Sequence, residues 1–294
     1  MSARTLLVTG ASGHLGHRIV ELLLARGGGD QIVAGSRKPE SLADLVAKGA
    51  QARAVDFDQS SEELAKSFAG VDRLLIVSTD AVDRPGHRLE QHERAVAAAK
   101  AAGVKHILYT SMVRPAQANP ALLAIDHRGT ESAVVHSGIP YTLLRNNWYL
   151  ENLLGDFAGA RATGVLATAI GSGRAAFVSR EDCAAAAAGA LASQEKKSSV
   201  REISGPELLG LSEIAAALSE LGKEVKPKAI SEAERTASLE AIGLPAGFAA
   251  VLANSDAAIA QGWFAVLSDD VRTLSGSAPR DLRTFLRDHR AELG

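Results

Sequence analysis

The 294-residue sequence is poor in cysteine, in excess charge of either sign and in long apolar runs, and each shortage excludes a class of protein. Its one cysteine, Cys183, cannot form an internal disulfide, and its eight histidines show no HExxH or other metal-ligand spacing, so no metal site is expected. The net charge of -2 leaves no surplus of cations for nucleic acid or an anionic membrane, so neither is an expected partner.

Membrane and export signals are also missing from the sequence. No apolar run reaches the roughly 18 residues that a membrane-spanning helix needs. A secretory signal is not expected, because Leu6-Leu7-Val8 leads directly into a glycine-rich turn that cleavage would destroy. Together with the low cysteine usage, this predicts a cytoplasmic protein.

Short apolar runs alternate with helix-period stretches through the first half of the chain, and this rhythm indicates βαβ units. Strands are predicted at 5–9, 31–34, 52–55, 73–77, 106–109 and 141–145, and helices at 17–25, 40–47, 62–68, 87–102 and 126–137. Short connections and right-handed crossovers favour an α/β fold, a Rossmann-type doubly wound parallel sheet with helices on both faces.

The rhythm loosens after residue 150, which suggests a Rossmann domain at 1–150 and a smaller, mainly helical α/β substrate domain at 151–294. In the second part, strands are predicted at 165–170, 176–179 and 201–204 and helices at 181–192 and 212–221, and the chain is mostly helical from 231 onward. We expect this part to close over the carboxyl edge of the sheet, and the chain to cross between the two domains.

The segment Gly10-Ala11-Ser12-Gly13-His14-Leu15-Gly16 follows a strand and opens a helix. Its three glycines suit a tight turn, close backbone approach to a pyrophosphate and close helix–strand packing. Free amides and the helix dipole then favour the negative charge. The predicted contacts are Gly10, Ser12, Gly13, His14, Leu15 and Gly16, and the alternative is a plain strand–helix connection.

The end of the second strand distinguishes NAD from NADP. An Asp or Glu usually meets the ribose 2′-hydroxyl there, but this chain has Ser36, Arg37 and Lys38 after Gly35. A hydroxyl and two cations suit a 2′-phosphate, so NADP is the predicted cofactor and NADPH is preferred over NADH; the alternative is a solvated basic loop. Asp56 and Phe57 are predicted to contact the adenine, although Phe57 also suits the core.

Four segments carry a resemblance to a known family: VTGASGHLG at 8–16, AAKAAGVKHILYTS at 98–111, SGIPYTLLRNNWYLEN at 137–152 and VSRED at 178–182. Together they resemble the NmrA-like, atypical branch of the short-chain dehydrogenase/reductases, and within it the type 2 NAD(P)H:quinone oxidoreductases and the triphenylmethane reductases. The resemblance covers nearly the whole chain. It implies direct hydride transfer from the nicotinamide to a flat, conjugated acceptor.

The resemblance also implies positions for the rest of the site. The loop Ser78-Thr79-Asp80 is expected near the adenosine and ribose, and Thr110, Ser111 and Met112 beside the nicotinamide. Two further segments are expected to wall the nicotinamide and the acceptor: Pro140-Tyr141-Thr142 and Asn146-Asn147-Trp148-Tyr149. For the aromatic pair, ordinary packing between the two domains is the alternative.

The usual acid–base dyad of the short-chain enzymes, a Tyr with a Lys four residues later, is absent. Tyr109, Tyr141 and Tyr149 are followed at that spacing by Val113, Arg145 and Leu153. This argues against alcohol dehydrogenation and sugar epimerisation by that mechanism.

His127 takes the place of a lysine found in isoflavone-reductase-like relatives. With an ordinary pKa of about 6.5, it is a candidate proton donor to the reduced acceptor, and Tyr149 is a second candidate. The alternative for His127 is a structural hydrogen bond to cofactor or water. His14, His17, His87 and His92 are predicted to lie on helix surfaces.

The sequence therefore predicts an NADPH-dependent reductase of a quinone-like acceptor, monomeric or homodimeric, with a dye or enone as other acceptors. The alternative is a non-catalytic NADP(H)-binding redox sensor of the NmrA type, because fold alone does not settle function.

Overall fold

The computed structural model describes residues 3–82 and 84–294, in which strands and helices alternate along the chain. The strands are β1 (Thr5–Val8), β2 (Gln31–Ser36), β3 (Gln51–Ala54), β4 (Arg73–Ile76), β5 (His106–Met112), β6 (Tyr141–Asn146), β7 (Val165–Thr168), β8 (Ser199–Ile203) and β9 (Lys226–Ala229). The helices are α1 (His14–Arg26), α2 (Ala43–Ala47), α3 (Ser61–Ser67), α4 (His87–Ala101), α5 (Leu122–His136), α6 (Leu154–Thr163), α7 (Arg180–Ala192), α8 (Leu211–Ser219), α9 (Glu232–Ala241), α10 (Ala246–Ala260), α11 (Asp270–Ser275) and α12 (Leu282–Asp288).

The main sheet confirms the predicted fold class. Within the described chain, its seven strands run in the order β3-β2-β1-β4-β5-β6-β8, and every pair is parallel. All residues of β4 and β5 are buried, as expected of central parallel strands covered on both faces. The strand order reverses between β1 and β4, which is where ligands of such sheets bind.

Helices cover the sheet on both faces. One face packs against α1, α7 and α11, and the other against α3, α4 and α5. Because each strand ends at the same edge, the loops that follow β1 to β6 meet there. We call the sheet and these two layers the N-terminal lobe.

A second apolar cluster lies beyond the carboxyl edge of the sheet and forms the C-terminal lobe. It contains α6, α8, α9, α10 and α12 and the parallel pair β7–β9. The chain crosses between the lobes, because α7 and β8 return to the N-terminal lobe. Residue 150 is therefore not a clean boundary. The predicted strand at 176–179 is an irregular segment with an isolated bridge from Val178 to Tyr149.

No helix in residues 3–82 and 84–294 combines the length and apolar character needed to cross a membrane.

Candidate active site

The glycine turn has a backbone that other residues would not tolerate. Gly10 has a φ of +62°, and a Cβ on Gly16 would lie 2.3 Å from the Gly10 carbonyl oxygen. The helix α1 begins at His14 with no acidic residue in its first turn, so its first amides are free to bind an anion. The turn is thus shaped for close approach of a phosphate.

A groove of about 540 Å³, the nucleotide groove, runs from this turn across the ends of β1 to β4. The predicted cofactor residues that line it are Gly10, Ser12, Gly13, His14, Leu15, Gly16, Ser36, Arg37, Asp56, Phe57, Ser78 and Thr79. Lys38 is not among its walls, although its amide donates a hydrogen bond to Ser36 Oγ at 3.1 Å. Asp80, expected with Ser78 and Thr79, also lines the groove, as do Thr9, Gln91 and Arg180, which were not predicted.

The end of β2 offers hydroxyls and a cation instead of a carboxylate. Ser36 is buried, and its Oγ lies 3.1 Å from Ser12 Oγ. Arg37 is exposed and makes no hydrogen bond or ion pair to the rest of the described chain, so its guanidinium is available to a ligand. This combination suits a phosphate better than a ribose hydroxyl.

The far end of the groove suits a flat base. Phe57 is 6% exposed and meets the ring of His92 edge-on at 6.4 Å, so it serves both the groove and the core. Gln91 Nε2 donates to Asp58 at 2.9 Å, whereas its buried Oε1 has no partner in the described chain. An amino group of a base would satisfy that oxygen.

The loop after β4 is fixed by side chains behind it. The Ser78 amide donates to Thr110 Oγ1 at 2.8 Å, and the Thr79 amide donates to His92 Nε2 at 3.1 Å. Thr110 therefore positions the loop but does not itself line the nucleotide groove. His92 was wrongly predicted as a surface residue, because it is 0% exposed. Its burial, and to a smaller extent the positive charge of Arg88, lowers its pKa to about 3.

A second cavity of about 550 Å³, the acceptor pocket, adjoins the groove. The predicted residues that line it are Ser111, Met112, His127, Asn146, Asn147, Trp148 and Tyr149. The pairing of β5 with β6 places Met112 opposite Asn146, so both strand ends reach this pocket. Phe248 and Leu252 of α10 and Phe264 form the wall from the C-terminal lobe.

The prediction for Pro140, Tyr141 and Thr142 needs correction. Tyr141 pairs with Ile107 at the amino end of the sheet, five residues before Asn146. At about 3.3 Å per residue, that is roughly 17 Å from the acceptor pocket. The two segments lie at opposite ends of β6, and they cannot wall the same ring.

His127 lies in the acceptor pocket but is not set up as a proton donor. Arg88 Nη2 donates to its Nε2 at 3.2 Å, and because a guanidinium has no acceptor, the ring proton is on Nδ1, 2.8 Å from the Tyr109 hydroxyl. Burial is the main cause that lowers the pKa of His127 well below 6.5, and the neighbouring Arg88 and His92 lower it further. The ring is neutral, which overturns the expectation of an imidazolium acid.

Arg180 lines both cavities, and Tyr149 lines the acceptor pocket beside it. The Tyr149 hydroxyl accepts a hydrogen bond from Asn146 Nδ2 at 2.8 Å, and burial raises the pKa of Tyr149, so the phenol stays protonated. The Arg180 guanidinium stacks over the Tyr149 ring at 5.4 Å and donates to Asn152 at 2.9 Å. The aromatic partner, Trp148, meets Phe264 edge-on at 5.8 Å, so it packs between the lobes and lines the pocket at once.

Sequence reasoning missed Arg88 and Arg180 as site residues. Arg180 stands within the family-like segment VSRED, which was a usable signal. Arg88 stands in a polar helix and carried no signal, because only the packing of α4 on the sheet brings it into the acceptor pocket.

The residues fit a bound dinucleotide in three respects. The Gly16 position leaves no room for a side chain, the first turn of α1 presents free amides, and Gln91 Oε1 lacks a donor within the described residues. These features match the phosphates and base of such a ligand.

Comparison with known proteins agrees with this geometry. Residues 10–194 match a family described as NAD(P)H-binding. Quinone oxidoreductase 2 of Escherichia coli is 40% identical over 269 residues, which are 91% of each chain. The structure of NADPH-dependent quinone oxidoreductase QOR2 from Escherichia coli complexed with NADPH is similar with a TM-score of 0.89 at 37% identity, covering 96% of this chain and 98% of that one.

A triphenylmethane reductase is also similar in structure. The Citrobacter enzyme complexed with NADP(H) gives a TM-score of 0.88 at 34% identity and covers 96% of this chain and 99% of its own. The family match, the matched fold and the coverage of nearly the whole chain are mutually consistent. The chain therefore belongs to the NAD(P)H-binding family, in the NmrA-like branch of NAD(P)H-dependent oxidoreductases.

Proposed function

We propose that this chain is an NADPH-dependent reductase that transfers hydride directly to a quinone-like conjugated acceptor. The observation that carries the proposal is the continuity of the two cavities, which share Leu15, the loop 77–80 and Arg180. A ligand bound along the nucleotide groove would therefore end beside the acceptor pocket. The arrangement supports a donor and an acceptor held side by side.

The preference for NADPH is argued from the end of β2. Ser36 and Arg37 line the groove where a ribose phosphate would be recognised, and the segment that ends β2 carries no carboxylate before Glu40 to bind a ribose hydroxyl. The relatives named as NADPH-dependent or bound to NADP(H) support the same choice.

The acceptor pocket supports a flat, conjugated substrate. Its walls include Met112, Trp148, Phe248 and Phe264, which are apolar or aromatic, and a few polar groups such as Ser111 and Arg88. Such a mixture excludes water and orients a planar ring. Similarity to quinone oxidoreductase 2 and to triphenylmethane reductase supports this class of acceptor.

The chain's own contribution is mainly positioning. Bound NADPH supplies the hydride. The glycine turn holds phosphates, the loop at 78–79 is fixed by Thr110 and His92, and the acceptor pocket holds the ring. Tyr149, which keeps its proton, is the candidate donor of a hydrogen bond to the acceptor. Little acid–base machinery is needed, which agrees with the missing Tyr–Lys dyad.

The test is NADPH oxidation by the purified protein, measured at the nicotinamide absorbance with a series of quinones, a triphenylmethane dye and NADH for comparison. We expect quinone-dependent turnover with a higher kcat/KM for NADPH than for NADH. Tight NADPH binding in a titration with no acceptor reduced would instead favour the non-catalytic redox sensor.

A further inference from the structure

Arg88 is a buried cation that makes no ion pair in the described chain, although the half-buried Asp126 interacts with its charge without hydrogen-bonding to it. It lies in the first turn of α4, is 7% exposed and lines the acceptor pocket. Its hydrogen bond is the one from Nη2 to His127, and its buried Nε has no partner among residues 3–82 and 84–294. Burying a charge without an ion-pair partner is costly, and an anionic or polar ligand in the pocket would offset that cost.

Arg73 shows what a purely structural buried arginine looks like in the same lobe. It is 6% exposed and also lacks an acid within ion-pair distance in the described parts, but it donates to the carbonyl oxygens of Ala190, Leu191 and Glu195 at 2.8 to 3.1 Å. Its donors are used inside the protein. Arg88 donates once, from Nη2 to His127, and lines the acceptor pocket, so its Nη1, which has no hydrogen bond in the described chain, is the donor left for a ligand.

The groups behind Arg88 hold it in place without neutralising it. His127 accepts from the guanidinium and faces Tyr109, whose hydroxyl lies 3.5 Å from His92 Nδ1. All three rings are buried and uncharged, because burial lowers the pKa of both histidines and raises that of the phenol. The chain of rings therefore fixes the direction of Arg88 and leaves its positive charge intact.

We propose that Arg88 is a catalytic residue whose guanidinium binds the acceptor oxygen that becomes negatively charged during reduction. This inference rests on the proposed function. The hydride leaves the C–H bond of the dihydronicotinamide with both electrons and bonds to the quinone, and the oxidised nicotinamide remains. The neutral quinone becomes a hydroquinone anion, whose oxygen then takes a proton from water. Arg88 keeps its own proton throughout and stabilises the anion.

Two acceptors whose charge changes differently on reduction distinguish a catalytic Arg88 from a structural one. A neutral naphthoquinone becomes an anion on hydride transfer, whereas a cationic triphenylmethane dye becomes neutral. A fixed cation in the pocket assists the first reaction and disfavours binding of the second substrate. A merely structural Arg88 would affect both reactions alike.

The first test uses single-turnover NADPH oxidation by the wild type, Arg88→Met and Arg88→Lys, with Arg73→Met as a matched control. We expect Arg88→Met to slow naphthoquinone reduction by about 100-fold, Arg88→Lys to keep part of the rate, and Arg73→Met to keep it fully. Dye reduction by Arg88→Met should be unchanged or faster. Equal losses with both acceptors, or no loss with the quinone, would overturn the proposal.

A binding measurement separates this inference from the proposed function. Salicylate, a flat aromatic anion, is titrated into the NADP-bound protein in a Trp263→Phe background and followed by the fluorescence of Trp148 in the pocket wall. Arg88→Met should weaken binding at least 10-fold, and Arg88→Lys less. If the wild type reduces no acceptor but this loss is seen, the reductase fails and the anion site stands. If quinone turnover is seen while salicylate binding is unchanged by Arg88→Met, the Arg88 inference fails.

Discussion

The two lobes each bury an arginine, and they hold it in opposite ways. In the C-terminal lobe, Arg235 is 5% exposed and binds Asp156 at 2.7 Å through Nη1 and Asp256 at 3.0 Å through Nε. At the edge of the N-terminal lobe, Arg88 has the neutral His127 as its hydrogen-bond partner in the described chain. The first arrangement is complete without a ligand, and the second is not. Burial of a charge therefore marks a site only when its partners are missing.

The largest expected effect is on stability, and it tests the ion pairs of Arg235 in the C-terminal lobe. Arg235→Met leaves the Asp156 and Asp256 carboxylates together and partly buried, so we expect the free energy of unfolding to fall by about 3–5 kcal/mol. Urea denaturation measures it. The triple variant Arg235→Met/Asp156→Asn/Asp256→Asn should recover much of the loss. A loss below about 1 kcal/mol for the single variant would break the comparison.

A substitution in the nucleotide groove should change the affinity for the cofactor and leave the stability of the fold unchanged. Arg37 is exposed at the groove and has no ion pair within the part of the chain that is described, so Arg37→Asp should leave the melting temperature unchanged. NADPH affinity should fall roughly 10- to 100-fold, since a charged hydrogen bond contributes about 1.5–3 kcal/mol. NADH affinity, measured by the same titration, is the internal control. Equal losses for both cofactors would contradict the assignment of Arg37 to the 2′-phosphate.

The buried rings behind Arg88 predict an acid-sensitive fold. The pKa of His92 is about 3 in the folded protein and about 6.5 when unfolded, so below pH 6.5 only the unfolded chain takes up a proton there. The contribution of His92 to the free energy of unfolding should therefore fall by about 1.4 kcal/mol per pH unit as the pH drops from 6.5 toward 3, in addition to the contributions of His106 and His127, whose pKa values are also lowered by burial. Relative to the wild type, His92→Gln should lose this slope. Parallel stability curves for the two proteins between pH 7.5 and pH 5 would refute the buried, neutral His92.

The smallest effect concerns the helix that carries Asp156 in the C-terminal lobe. Gly159 is exposed in α6, and a Cβ there would meet no atom within 4 Å. Gly159→Ala should raise the free energy of unfolding by about 0.5–1 kcal/mol, because alanine loses less backbone entropy in a helix. Gly16→Ala is the contrasting variant, since its Cβ would strike the Gly10 carbonyl. A gain in stability for Gly16→Ala would refute the tight turn.

Local patterns predicted the N-terminal lobe well, and the reasons are local. Buried strands such as β4 read as continuous apolar runs, and the glycine turn needs its residues within one short segment. The strand predicted at 201–204 did form, as β8, but only pairing with β6 shows that it extends the main sheet. The residue pattern of one strand does not show which other strand it will pair with.

Polar residues on α4 explain the main failures. A polar helix face is normally solvated, so His92 was assigned to the surface and Arg88 was passed over. In the structure both face the end of the sheet, where a functional site breaks the usual division of apolar inside and polar outside. Likewise Tyr141 and Asn146, close in sequence and in one motif, lie at opposite ends of β6.

Residue types and their spacing within single segments were enough to predict the fold class, the glycine turn and the missing carboxylate at the end of β2. Three properties required the folded chain: which polar groups share a cavity, that His127 is neutral, and that Arg88 makes no ion pair in the described residues. Those properties arise from burial and from contacts between residues far apart in sequence, and no single segment carries them.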